Sequence, residues 1–188
     1  AERSRESLWP AIADILRQPY AYEALGGLHE TGALFVLFPE TEAIDCLVVR
    51  DFYHRYTVDE HSFQAIRTLK RLDEDPDKQS ERFKRLAAEL DRPEQVYFAL
   101  LYHDIGKGYP VSDHSARSVE ALDGAVERLK IGEHDADAAR FLVEQHLTMS
   151  NFITKRDISD PETITEFVDI VGTRERLRAL TLMTYADT

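Results

Sequence analysis

Cysteine is nearly absent from this 188-residue chain: Cys46 stands alone, so no internal disulfide can form. A lone thiol fits a reducing compartment, and the expectation is a cytoplasmic protein. Glycine and proline are sparse too, at 8 and 7, so few positions interrupt regular structure. No apolar run reaches the roughly 18 residues that span a bilayer. The N-terminal stretch AERSRESLWP has no apolar centre of signal-peptide type. Basic charge is in deficit: 23 Lys and Arg against 35 Asp and Glu leave a net charge of −12. That argues against the basic face that backbone binding to nucleic acid requires. The expectation is therefore no nucleic-acid partner and no membrane. Repeats and low-complexity tracts are also missing. What is present is a chain 43% hydrophobic, long enough for one domain with a core.

The periodic segments are long and predict an all-α fold. Helices are expected over residues 4–17, 20–30 and 33–38, the last stopped by Pro39. Residues 40–55 are the least regular, open to either helix or extended packing. Thr57-Val58-Asp59-Glu60 reads as a capping box opening a helix to about residue 73. A charged loop over 73–80 precedes an amphipathic helix at 81–90. Arg92-Pro93-Glu94 opens the next helix with an early proline and an acidic first turn. Ser112 or Asp113 caps a helix to Lys130, ended by Gly132. Helices over 135–147, from Asp160-Pro161 to 171, and 173–188 complete the chain. The last is still apolar where the sequence stops. The expected organisation is therefore a single domain over 1–188, with 1–19 as a lead-in helix, excised from a longer protein.

The strongest chemical signal is His103-Asp104, at the end of the apolar run from Val96 to Tyr102. A helix that apolar is buried on nearly all sides. A carboxylate at its end is costly unless a cation or a full set of hydrogen bonds compensates it. Gly106 is expected to end the helix, Lys107 to present a positive charge to phosphate, and Gly108 to loosen the chain after it. His61 lies one turn into its helix, His114 comes directly after Asp113, His146 closes a helix and Asp187 lies near the end of the last one. Four of the seven histidines thus sit at helix ends that can converge on one pocket. Imidazole with carboxylate suits Mn, Mg, Fe or Zn, and the lack of thiolate argues against a structural zinc site.

Plainer readings stand beside these. His103 and Asp104 can be a helix-end histidine with a solvated aspartate, Lys107 and Asp187 surface charges, and His61 and His146 structural. His114, at a helix N-terminus, can meet phosphate rather than metal. His29, His54 and His134 are read as structural or surface residues, Trp9, Tyr53 and Tyr56 as packing, and Glu60 as a capping or solvated group.

The order His61, His103-Asp104 and a late Asp187 on separate helices resembles the HD-domain metal-dependent phosphohydrolases. Longer strings carry a closer resemblance: LHETGALFVLFPE (28–40), DFYHRYTVDEHS (51–62), LLYHDIGKG (100–108), QHLTMSN (145–151), RDISDPETITEF (156–167) and LTLMTYAD (180–187). From about residue 20 onward the chain is similar to the HD domain of bifunctional PII uridylyltransferase/uridylyl-removing enzymes. The resemblance implies an HD-domain helical bundle that hydrolyses the phosphodiester joining UMP to a tyrosine of the PII nitrogen-regulatory protein. It also implies nucleotidyltransferase and glutamine-sensing ACT domains elsewhere in the full-length protein. His61, His103, Asp104 and Asp187 are expected to hold one divalent ion. His114 and His146 would line a second position, and Lys107 and Asp104 would act on the phosphate.

Two departures stand out. Gln145-His146 replaces the pair of histidines usual in that family, on which a second metal often depends. Gly-Tyr-Pro comes directly after Lys107, whereas in cyclic di-GMP phosphodiesterases the GYP belongs to a separate downstream motif. The competing readings are a phosphohydrolase of free or cyclic nucleotides and a degenerate HD domain kept as a regulatory module. Alarmone hydrolases carry an acidic pair soon after His-Asp, where this chain has Ile105-Gly106-Lys107.

Overall fold

The computed structural model describes residues 7–49, 56–77 and 80–188. His54 and Tyr53 lie outside the described residues. The expected all-α class is what the structure has, and no strand occurs among the described residues. The helices are α1 (Trp9–Arg17), α2 (Ala21–Glu30), α3 (Ala33–Leu37), α4 (Val58–Lys70), α5 (Ser80–Ala88) and α6 (Pro93–Tyr102). They continue as α7 (His114–Leu129), α8 (Glu133–Gln145), α9 (Thr148–Lys155), α10 (Pro161–Val171) and α11 (Arg174–Asp187). Short 3-10 turns cover Pro39–Ile44, Leu72–Glu74 and Ile105–Gly108. Among the described residues, no helix is long and apolar enough to cross a membrane.

Prolines fall in the first turns of α1, α6 and α10, where a missing N–H costs nothing. Asp113, Asp160 and Thr173 cap α7, α10 and α11 by accepting from the backbone N–H of Ala116, Glu162 and Arg176. Two expected signals fail. Thr57 makes no side-chain cap bond. Glu60 instead accepts from Gln64 Nε2, one turn on in α4, at 2.6 Å and faces the Tyr22 hydroxyl of α2, so these two partners outcompete the capping box. Gly132 does not end α7. Lys130 does so in a left-handed conformation (φ 54°), and Gly132 is the N-cap of α8. Helix α9 is a further addition, in a stretch where the sequence predicts none.

Helix α6 is the axis of the fold and packs against α1, α4, α7, α8 and α11. Its Phe98, Ala99, Leu100 and Tyr102 have no exposed surface. Each large apolar side chain so buried contributes about 1.5–3 kcal/mol. Trp9, Phe38, Phe98 and Tyr102 form an aromatic cluster with ring centroids 4.9–6.2 Å apart. The base of α6 is held by charge. Glu94, also without exposed surface, is gripped by both Nε and Nη2 of Arg17 at 3.0 and 2.6 Å. Asp135 of α8 accepts from Trp9 Nε1 (2.6 Å) and Gln95 Nε2 (2.7 Å). Burial would raise its pKa, but these bonds and Arg92 hold it below the usual carboxylate range.

Both glycines of HDIGKG are sites of close backbone approach. A Cβ on Gly106 would collide with the carbonyl oxygen of His114, and one on Gly108 with that of Ala43. The Gly106 N–H donates to Ser118 Oγ at 2.8 Å. Gly108 therefore does not loosen the chain as expected. It lets the Ile105–Gly108 turn press on the Pro39–Ile44 turn, while Gly106 clamps the start of α7 beside Asp104.

Candidate metal centre

His103 and His146 are positioned by the same device. Each is the C-cap of a buried helix, α6 or α8, with φ −56° and ψ near −34°. Each ring donates Nδ1–H to the carbonyl three residues back: Leu100 at 2.8 Å, Val143 at 2.7 Å. Since a carbonyl only accepts, Nδ1 carries the hydrogen and Nε2 points outward. Backbone anchoring of this kind fixes the tautomer of ligating histidines. The sequence points to both histidines but not to their anchors. The i−3 carbonyl of a helix-closing histidine is the signal that could have found them.

The six expected ligands do meet, in a different grouping. His61 Nε2 and His103 Nε2 lie 2.7 and 3.2 Å from the same oxygen, Asp187 Oδ1. These three residues form one potential donor group. Asp104, His114 and His146 form another. Asp104 faces both: its Oδ2 is 3.3 Å from His103 Nε2 and accepts from Lys107 Nζ at 2.6 Å. Its Oδ1 is 3.6 Å from His114 Nε2 and 3.8 Å from His146 Nε2. Asp104 Oδ1, His114 Nε2 and His146 Nε2 are all buried without a hydrogen-bond partner. Three unsatisfied donor atoms facing one point are costly unless an ion answers them. The donor set therefore fits a divalent cation.

Burial would lower the pKa of His103, but the carboxylates of Asp104 and Asp187 outweigh it and raise the ring well above its ordinary value. Burial would raise both carboxylates. Asp104 is instead held far down by His103 and Lys107, and Asp187 by His103 and His61. His146 goes the other way: burial and the charge of His103 push it down to about 4. His114 is also lowered, mainly by burial. These shifts bias His103 toward its charged form and His114 and His146 toward neutral imidazoles.

Both groups open on one cavity of about 650 Å³ whose walls include Tyr56, His61, Lys107, His146, Ser150 and Asp187. Tyr56 was expected to pack, yet it stands half exposed at this cavity. Gln145 accepts from Thr148 Oγ1 at 2.7 Å.

A family model described as HD domain matches residues 58–173, which contain five of the six grouped donors. The chain belongs to the HD domain family. It is thereby placed among divalent-metal-binding hydrolase domains, and the resemblance drawn from the sequence holds. Among the relatives of this HD domain, the bifunctional uridylyltransferase/uridylyl-removing enzyme of Cereibacter sphaeroides is 35% identical over 174 residues, 92% of this chain and 19% of that protein. Proteins of the same name from Chromobacterium violaceum and Xanthomonas campestris pv. campestris are 37% and 38% identical over 175 and 178 residues, in each case 92% of this chain and 20% of the relative. The chain spans about a fifth of the length of these curated relatives.

Proposed function

We propose that this HD domain is a metal-dependent phosphodiesterase that removes UMP from a tyrosine of a PII-type signalling protein in the cytoplasm. The observation that carries the hydrolytic reading is the convergence of three partnerless donor atoms, from Asp104, His114 and His146, beside the His61–His103–Asp187 group. The uridylyl group is supported by the names of the relatives, uridylyl-removing enzymes, and the PII tyrosine is what the resemblance drawn from the sequence implies. Divalent ions held by these two groups of residues would supply Lewis-acid charge and make water a stronger nucleophile.

The protein's own groups do the rest. Asp104 bridges the two donor groups and is held ionised by His103 and Lys107. The Lys107 ammonium lines the cavity and adds positive charge beside the phosphoryl oxygens. His114 opens the 16-residue helix α7, whose N-terminus favours an anion. Water oxygen bonds to phosphorus, the P–O bond to tyrosine breaks, and the phenolate leaves with the electron pair and takes up a proton. Tyrosinate, with a pKa near 10, needs less acid assistance than an alkoxide. A net charge of −12 gives no general attraction to an acidic partner, so recognition of the protein substrate is local or comes from other domains.

The test is incubation with Mn²⁺ and a uridylyl-tyrosine ester, and separately with cyclic di-GMP. Release of UMP with slow or no turnover of cyclic di-GMP is expected. Rapid cleavage of cyclic di-GMP with none of the ester would move the chain to the nucleotide-hydrolase reading. No hydrolysis of either by a metal-loaded protein would leave the regulatory one.

A further inference from the structure

A third set of donors lies outside the cavity. His29 of α2, Asp45 just after the Pro39–Ile44 turn, and Asp59 of α4 each bring one ligand atom within 4.8 Å of the others. His29 Nε2 is 2.8 Å from Asp45 Oδ1 and 3.6 Å from Asp59 Oδ2. The imidazole is oriented by edge contacts with Phe35 and Phe63, at centroid distances of 5.5 and 5.6 Å. Asp59 is the telling member. Its side chain is 9% exposed, and Oδ2 accepts the Cys46 backbone N–H at 3.2 Å. Its other oxygen, Oδ1, is buried with no hydrogen-bond partner. A carboxylate with one oxygen fixed and the other unmet at such burial is costly unless a cation completes it.

We propose that His29, Asp45 and Asp59 form a second, peripheral site for a divalent transition-metal ion of the zinc class. One imidazole and two carboxylates are the donors that borderline ions accept, at about 2.0–2.2 Å each. Asp45 is the adjustable member, its side chain 39% exposed, and a small rotation opens the His29–Asp45 hydrogen bond to admit the ion. The three donors come from three separate segments, so the ion is a staple. It ties α2 and the turn after Ile44 to the first turn of α4, the turn that carries His61. Its role is structural, and it is independent of hydrolysis at the cavity.

The experiment counts zinc on the full chain by elemental analysis after equilibrium dialysis, with circular dichroism checking the fold. His103→Ala with His146→Ala disables both cavity groups. This background should still hold one zinc per chain and melt several degrees higher with zinc than without it. Adding Asp45→Asn or His29→Ala should weaken that zinc by more than the roughly 10–100-fold that a supporting residue outside the ligand set costs. In case the background folds poorly, Asp45→Asn alone in the unaltered chain should lose one zinc from the total while hydrolysis with Mn²⁺ stays within about twofold. The proposal is overturned if the folded background holds no zinc. It is equally overturned if both substitutions leave zinc binding unchanged, or if only Cys46→Ser removes it.

Discussion

The two donor groups facing the cavity contain the same chemistry, two imidazoles and a carboxylate, yet they rest in opposite states. In His61–His103–Asp187 the carboxylate has drawn both rings onto one oxygen, at 2.7 and 3.2 Å, and His103 is biased toward its charged form. In Asp104–His114–His146 the distances are 3.6 and 3.8 Å, both rings are biased toward neutrality, and three atoms have no partner. The difference lies in the anchoring. Asp187, on the last turn of α11, is free to reach its histidines, whereas Asp104 is tied through Oδ2 to Lys107 and His103 and cannot close on the other pair. A carboxylate that is held back keeps a site open for an ion.

Asp104 belongs to both halves, so replacing it should have the largest effect. Asp104→Ala is expected to remove metal from both groups and lower hydrolysis by at least roughly 10²–10³-fold. Unchanged metal stoichiometry in that variant would contradict the bridging role.

The next test separates the halves. Asp187→Asn and His146→Gln each spoil one group and leave the other, so each should lose one ion per chain while retaining the other. If either variant loses all bound metal, the six residues act as one site, and the comparison collapses.

A subtler break leaves every donor in place. Gly106→Ala would drive a Cβ against the His114 carbonyl and pry α7 from the Asp104 turn. About 1–3 kcal/mol of destabilisation is expected, with a selective loss of metal from the Asp104–His114–His146 group. Gly132→Ala, with open space around its Cβ and φ −65°, is the control and should be nearly neutral by urea unfolding.

The smallest effect fixes the pH window for these measurements. Lys70, on the same helix as His61, packs over Tyr97 at 3.9 Å, and burial lowers its pKa from 10.5 to about 8. The unfolded chain therefore binds more protons between pH 8 and 10.5, so this residue's contribution makes stability rise with pH across that window. Lys70→Met should flatten that rise, so its stability relative to the parent falls between pH 7 and pH 9.5. Equal melting-temperature differences at the two values would refute it. Metal comparisons run below pH 8 avoid this contribution.

Much of the fold was legible because local chemistry agreed with it. The apolar run ending at Tyr102 read as a buried helix, and Pro93, Pro161 and Asp113 marked helix starts correctly, because those signals act over one turn. The capping box at Thr57 failed because Gln64, one turn on in the same helix, and Tyr22, brought close by packing, compete for Glu60. Helix α9 was missed because it has only eight residues and no fully buried one, too short a stretch for helical spacing to repeat. His29 read as structural because its partners Asp45 and Asp59 lie 16 and 30 positions away, too far for any spacing rule.

Helix periodicity and element ends are local properties of a chain, and they were enough to specify an all-α protein with a His-Asp pair at the end of its most buried helix. Helix ends drew attention to His61, His103, Asp104, His114 and His146, and only the resemblance to HD-domain phosphohydrolases promoted Asp187 as the sixth side chain that can meet them. How those six divide is a matter of packing. The division depends on Gly106 lying against His114, on Lys107 restraining Asp104, and on the Leu100 and Val143 carbonyls turning two imidazoles outward. The Gly106 contact and the meeting of the two groups join segments far apart in the chain, so no pattern of residues along it could have set distances of a few ångströms between them.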